Sequence, residues 1–148
     1  MKKIFYVIIV SFDLLACTNL YKGKLESQIE QYIDRHYITD TSHIDISKIT
    51  KFEWDTLYVF SERASLDEVE QAIDMQYPYF RDIGKRFIFI KQGKIIYHED
   101  IYPYPDQIDD GQIAFDIIDT LKYKIYTNSL FNVTRRHSSS GYFYFLSQ

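Results

Sequence analysis

One cysteine, five glycines and three prolines in 148 residues put several large classes of protein out of reach. A lone Cys17 cannot close an intramolecular disulfide or supply the several thiolates of a structural zinc site. The scarcity of Gly and Pro excludes collagen-like, flexible-linker and proline-rich chains. Long basic runs are missing too. No basic run exceeds a pair such as Lys2-Lys3 or Arg135-Arg136, and the net charge is −4, so the chain lacks the phosphate-neutralising patch of a general nucleic-acid binder. It has no Gly-rich phosphate loop and no G-x-S-x-G nucleophile elbow. What is present is a chain 46% apolar and 18% aromatic, short enough for one compact domain and rich enough in apolar side chains to bury a core.

The apolar run at the start is short. Lys2 and Lys3 precede Ile4 to Val10, a positive n-region and an apolar h-region of secretory type, and the run ends at Asp13. A spanning helix needs about 20 predominantly apolar residues, so this stretch reads as a signal and not as an anchor. Leu14-Leu15-Ala16-Cys17 resembles the lipobox of bacterial lipoproteins, whose cysteine receives diacylglycerol through its sulfur. That resemblance implies a signal peptide over residues 1–16, a lipidated Cys17 with a short tether over 17–24, and a single α+β domain over 25–148. Two acyl chains, each contributing about 0.8 kcal/mol per buried CH₂, make retention stable where one chain is marginal. Alkylation of the only thiol would leave no sulfur nucleophile or thiolate ligand. Thr18, where an Asp would retain a lipoprotein in the inner membrane, permits delivery to an outer membrane where one exists. The tether is short: seven residues reach at most roughly 25 Å at about 3.3 to 3.6 Å each, which keeps the domain near the bilayer.

Beyond the tether, Leu25, Ile29, Tyr32, Ile33, His36 and Tyr37 recur at helical spacing opposite polar residues. Residues 40–47 are polar with isolated Ile44 and Ile46 and read as a turn or irregular connection. Phe52 to Phe60 is aromatic and β-branched without polar alternation in its second half, which suits a central strand buried on both faces. Ser65 and Glu68 form an S-x-x-E capping box opening a helix through Leu66, Val69, Ala72 and Ile73, with Pro78 to close it. Gln92-Gly93 between Arg86–Lys91 and Lys94–Ile101 marks a tight hairpin. Tyr102-Pro103-Tyr104-Pro105 starts a loop that continues through Asp106, Asp109 and Asp110. Residues 114–120 are ambiguous between strand and short helix. Leu121, Tyr123, Ile125 and Thr127 alternate with polar neighbours as a half-buried strand. Leu130–Arg136 and Tyr142–Leu146 make a second hairpin across residues 137–141. The sum is an α+β domain with a mostly antiparallel sheet of five to six strands and two helices packed on one face.

Chemistry-bearing clusters are weak. Asp106 to Gly111 offers carboxylates and a glycine, but in an EF-hand register Ile108 and Ile117 occupy ligand positions, so a solvated acidic loop is the better reading. The four histidines are scattered, and His98-Glu99-Asp100 lies on a strand whose neighbours face opposite ways. His137 beside Ser138 to Ser140 is a polar turn without triad geometry. No catalytic residue, metal site or cofactor is assigned. The 14 tyrosines and 11 phenylalanines are more informative, because Tyr presents an apolar ring with a polar tip. Tyr77 to Phe80 and Tyr102 to Pro105 are stiffened by proline, and Tyr79, Tyr102, Tyr104, Asp106, Asp109 and Asp110 are the candidate binding residues.

From about Asp45 to Glu99, Phe52-Glu53-Trp54-Asp55, Leu57-Tyr58-Val59-Phe60 and Phe87 to Tyr97 together resemble small uncharacterised bacterial lipoproteins, a group that brings no activity with it. The expectation is a lipid-anchored, non-enzymatic binding module of the cell envelope for a protein or glycan partner, of inhibitor or immunity type among others. An envelope hydrolase and a structural subunit pairing through a strand edge are the alternatives. The anchor makes the membrane itself a partner, and nucleic acid is not expected.

Overall fold

The computed structural model describes residues 23–36, 41–82, 84–102, 111–117, 122–139 and 141–148. Two helices, α1 (Lys24–His36) and α2 (Leu66–Ile73), accompany eight strands. These are β1 (Thr41–Asp45), β2 (Thr56–Phe60), β3 (Lys85–Lys91), β4 (Lys94–Ile101), β5 (Gln112–Phe115), β6 (Tyr123–Tyr126), β7 (Leu130–Ser138) and β8 (Gly141–Ser147). They form two four-stranded sheets, ordered β1-β7-β8-β5 and β4-β3-β2-β6. All pairings are antiparallel except β5 with β8. The α+β class is as expected, but the single sheet of five to six strands is corrected to eight strands in two sheets. The extra strand β1 was hidden because Ile44 is the one buried residue among its described side chains, which leaves no alternation to read.

Alternation along β2 and β3 divides the interior. Leu57, Val59, Phe87 and Phe89 face the other sheet, where they meet Ile44, Ile113, Phe115, Phe131, Val133, Tyr144 and Leu146 in one core. Phe60, Ile88 and Ile90 face the opposite way and pack with Val69, Ile73 and Tyr77 of α2 and the chain after it. The second half of the Phe52 to Phe60 run is thus buried on both faces, while residues 52–55 stay irregular. Leu25, Ile29 and Ile33 of α1 join the inter-sheet core. The two helices therefore serve different faces of the β2-β3 sheet and do not share one, contrary to the sequence reading.

Helix α1 bridges the edges of both sheets. Glu99 of β4 accepts from its first amides, Glu26 Oε1 accepts from Ile113 N of β5 at 3.1 Å, and Tyr144 of β8 donates to Asp34 at 2.5 Å. Local signals set the smaller features. Ser65 and Glu68 form the reciprocal capping box of α2. That helix ends at Asp74, which takes a left-handed conformation (φ 54°) four residues before Pro78. Gln92 and Gly93 both have positive φ (48° and 69°), the type I′ geometry that matches strand twist. In β6 the expected faces hold only in part: Tyr126, expected outside, is buried in the core, and Ile125, expected inside, is 45% exposed. Tyr123, on the same face as Ile125, is partly buried against Phe60 and the α2 cluster, while Tyr126 on the other face enters the inter-sheet core.

Candidate functional site

After α2 the chain crosses toward β4, and an arginine fixes its path. Arg86 and Asp100 are cross-strand partners in the β3-β4 register. The Arg86 side chain is 1% exposed, and its Nε donates to Asp100 Oδ1 at 3.1 Å. Its Nη2 donates to the Arg81 carbonyl at 2.5 Å, and the guanidinium carbon lies 4.2 Å from the Phe80 ring centre. A charge buried this deeply needs such partners. The guanidinium thus ties the segment around residues 77–82 to β4. At the start of that segment Tyr77 N donates to Glu70 Oε1 at 2.7 Å, and the Tyr77 ring is buried. Burial, reinforced by the Asp100 charge, pushes the Tyr77 phenol well above its ordinary range.

Between this segment and β4 lies an open cleft of about 380 Å³ lined by Pro78, Tyr79, Phe80, Arg81, His98, Asp100 and Tyr102, with Glu99 at its edge. Tyr79 is 49% exposed and stacks on His98, ring centres 4.0 Å apart and planes 15° apart. Tyr77 meets both rings edge-on, at 5.7 and 5.9 Å. Strand alternation puts His98 and Asp100 on the same face and Glu99 on the other. The Tyr79 and Tyr102 hydroxyls, the His98 ring nitrogens and the Arg81 guanidinium make no hydrogen bond to another described residue.

Glu99 is committed elsewhere. Its carboxylate accepts from Leu25 N at 2.8 Å and Glu26 N at 3.2 Å, and from the Tyr97 hydroxyl. It supplies the cap of α1, where Gly23, the residue before the helix, has no side chain to satisfy the first-turn amides. The same bond and the burial of its ring raise the Tyr97 phenol above its usual range, burial being the larger cause. With Glu99 on the opposite face, it does not orient the His98 imidazole for acid–base chemistry.

Tyr79 and Tyr102, named from sequence, are brought to one cleft. Cys17, Tyr104, Asp106, Asp109 and Asp110 lie outside the described residues. Sequence reasoning missed Arg86 and the stacking role of His98. The signal for Arg86 was a charge on the strand face shared with Ile88 and Ile90, a position that demands partners. The other histidines are dispersed: His36 stacks on Tyr32, and His43 and His137 are exposed on β1 and β7. Among the described residues no three His, Cys, Asp or Glu side chains gather to hold a metal ion, and no helix is long and apolar enough to cross a membrane. No family model, curated protein or solved structure matches the chain.

Proposed function

We propose that this protein is a lipid-anchored binding module of the cell envelope, tethered through Cys17, that takes a protein or glycan partner at the cleft between residues 77–82 and β4. One observation carries the reading: Tyr79 stacks on His98 yet keeps about half its surface open, beside Tyr102. A pre-ordered aromatic ring is the kind of anchor that gives affinity at low entropic cost. The Arg86 tie to Arg81 and Asp100 supplies the preorganisation. A catalytic reading has less support, because Glu99 is spent on capping α1.

The test has two arms. Intact-mass analysis of the native product would show loss of residues 1–16 and an added diacylglycerol mass, and an unprocessed, unmodified chain would overturn the anchor. Affinity capture from envelope extracts with the full-length protein would enrich a partner that Tyr79→Ala fails to retain. Equal capture by both forms would remove the cleft from the function.

A further inference from the structure

Resting on that reading of the cleft, the geometry points to a glycan as its occupant, with a neutral pyranose ring stacked on the open face of Tyr79. The platform is one ring wide: His98 stacks on Tyr79, which still keeps 49% of its surface exposed. Around it stand polar groups of both kinds. The Tyr79 and Tyr102 hydroxyls and the His98 nitrogens can donate or accept, the Arg81 guanidinium donates, and Asp100 uses Oδ1 for Arg86 and keeps Oδ2. None of these groups, Oδ2 included, is engaged by another described residue. Vicinal hydroxyls, each donor and acceptor at once, fit a mixed set of this kind around an apolar ring face.

Charge points the same way. Arg86 neutralises Asp100 at 3.1 Å, and the other charged groups of the lining are one cation, Arg81, and one carboxylate, Glu99, so the rim has no excess of one sign to select an ionic ligand. An extended peptide would instead use the neighbouring sheet edge. Edge strand β4 carries a register break opposite Phe89 and Ile90, and it begins with an exposed Lys94. Bulges and charges of this kind obstruct strand addition.

The experiment is an NMR titration of the full-length protein in detergent micelles with three probes: the tetramer of N-acetylglucosamine, maltotetraose and cellotetraose. The expected result is saturable shifts at Tyr79, His98 and Tyr102 with at least one of them. Tyr79→Ala should weaken that binding about tenfold or more, the effect of removing an anchoring ring, and Tyr79→Phe should keep it within about threefold. Absence of saturable shifts with all three sugars up to about 10 mM, well past a millimolar Kd, overturns the glycan assignment. If a protein is then captured in a Tyr79-dependent way, the binding reading survives and the occupant is that protein. If Tyr79→Ala binds sugar as well as wild type, the stacking platform is refuted even though the glycan is bound.

Discussion

Replacing Glu99 by alanine should cost the domain about 3–5 kcal/mol. The carboxylate is 9% exposed and sits between two sheet layers, where it accepts from Leu25 N, Glu26 N and the Tyr97 hydroxyl. Leu25 and Glu26 are each 2% exposed, so water would reach their amides poorly once the carboxylate is gone. Each orphaned buried amide costs about 1–3 kcal/mol, and the lost hydroxyl bond adds about 1 kcal/mol. Partial fraying of the first turn of α1 keeps the sum near the lower part of that total. Against a stability of roughly 5–15 kcal/mol this is a large fraction. Glu99→Gln retains one acceptor oxygen and should cost less, about 1–2 kcal/mol. Gly23→Ala offers an independent route to the same clasp, because a Cβ at Gly23 would stand 2.0 Å from Glu99 Oε1 and force the carboxylate away. The assay is urea unfolding, with the midpoint read at constant slope, alongside hydrogen exchange at Leu25 and Glu26. A Glu99→Ala midpoint that implies less than about 0.5 kcal/mol of destabilisation, with unchanged exchange at those amides, would refute the cap.

The Arg86 tie should behave as a buried ion pair: Arg86→Leu should destabilise by about 3–5 kcal/mol in urea, while Arg86→Leu with Asp100→Leu should recover part of it; an unrecovered double variant would contradict the pairing. Lys122, then Ser65, hold the Glu68 carboxyl down to about 2 from its ordinary 4.5. The contribution of that group is therefore complete above pH 4.5 and is lost as pH falls toward 2, so the drop in Tm over that interval should be smaller in Glu68→Gln than in wild type. Burial first, and then the carboxylates of Glu99, Asp116 and Asp34, push the phenols of Tyr97, Tyr126 and Tyr144 far above 10. Their stabilisation is full below pH 10 and is lost as pH rises beyond it; phenolate absorbance should show these three ionising only as circular dichroism reports unfolding, and their ionisation in the folded state would disprove their burial.

Much of the local structure was legible because its determinants lie within a few residues of one another. Ser65 and Glu68 are three apart and close the cap of α2 by themselves. Gln92-Gly93 dictates its turn because the second residue tolerates positive φ. The unbroken apolar stretch of β2 announced burial on both faces. The strand β1, the burial of Tyr126 in place of Ile125 on β6 and the division into two sheets were not legible. Each depends on which distant strand is the neighbour, and a five-residue edge strand with one buried side chain carries no periodicity of its own. The candidate site shows the same split. Proline-stiffened tyrosines marked Tyr79 and Tyr102, whereas His98 and Arg86 acquired their roles only when the chain after α2 was laid beside β4.

The two helix caps state the difference most directly. Sequence alone determined the start of α2, since donor and acceptor there belong to one turn of chain. The start of α1 was decided by tertiary structure: Gly23 offers no side chain, and the carboxylate that satisfies the first amides comes from Glu99, 74 residues beyond Leu25. A backbone hydrogen bond must be satisfied wherever it is buried, but nothing in a local sequence window says which distant residue will do it.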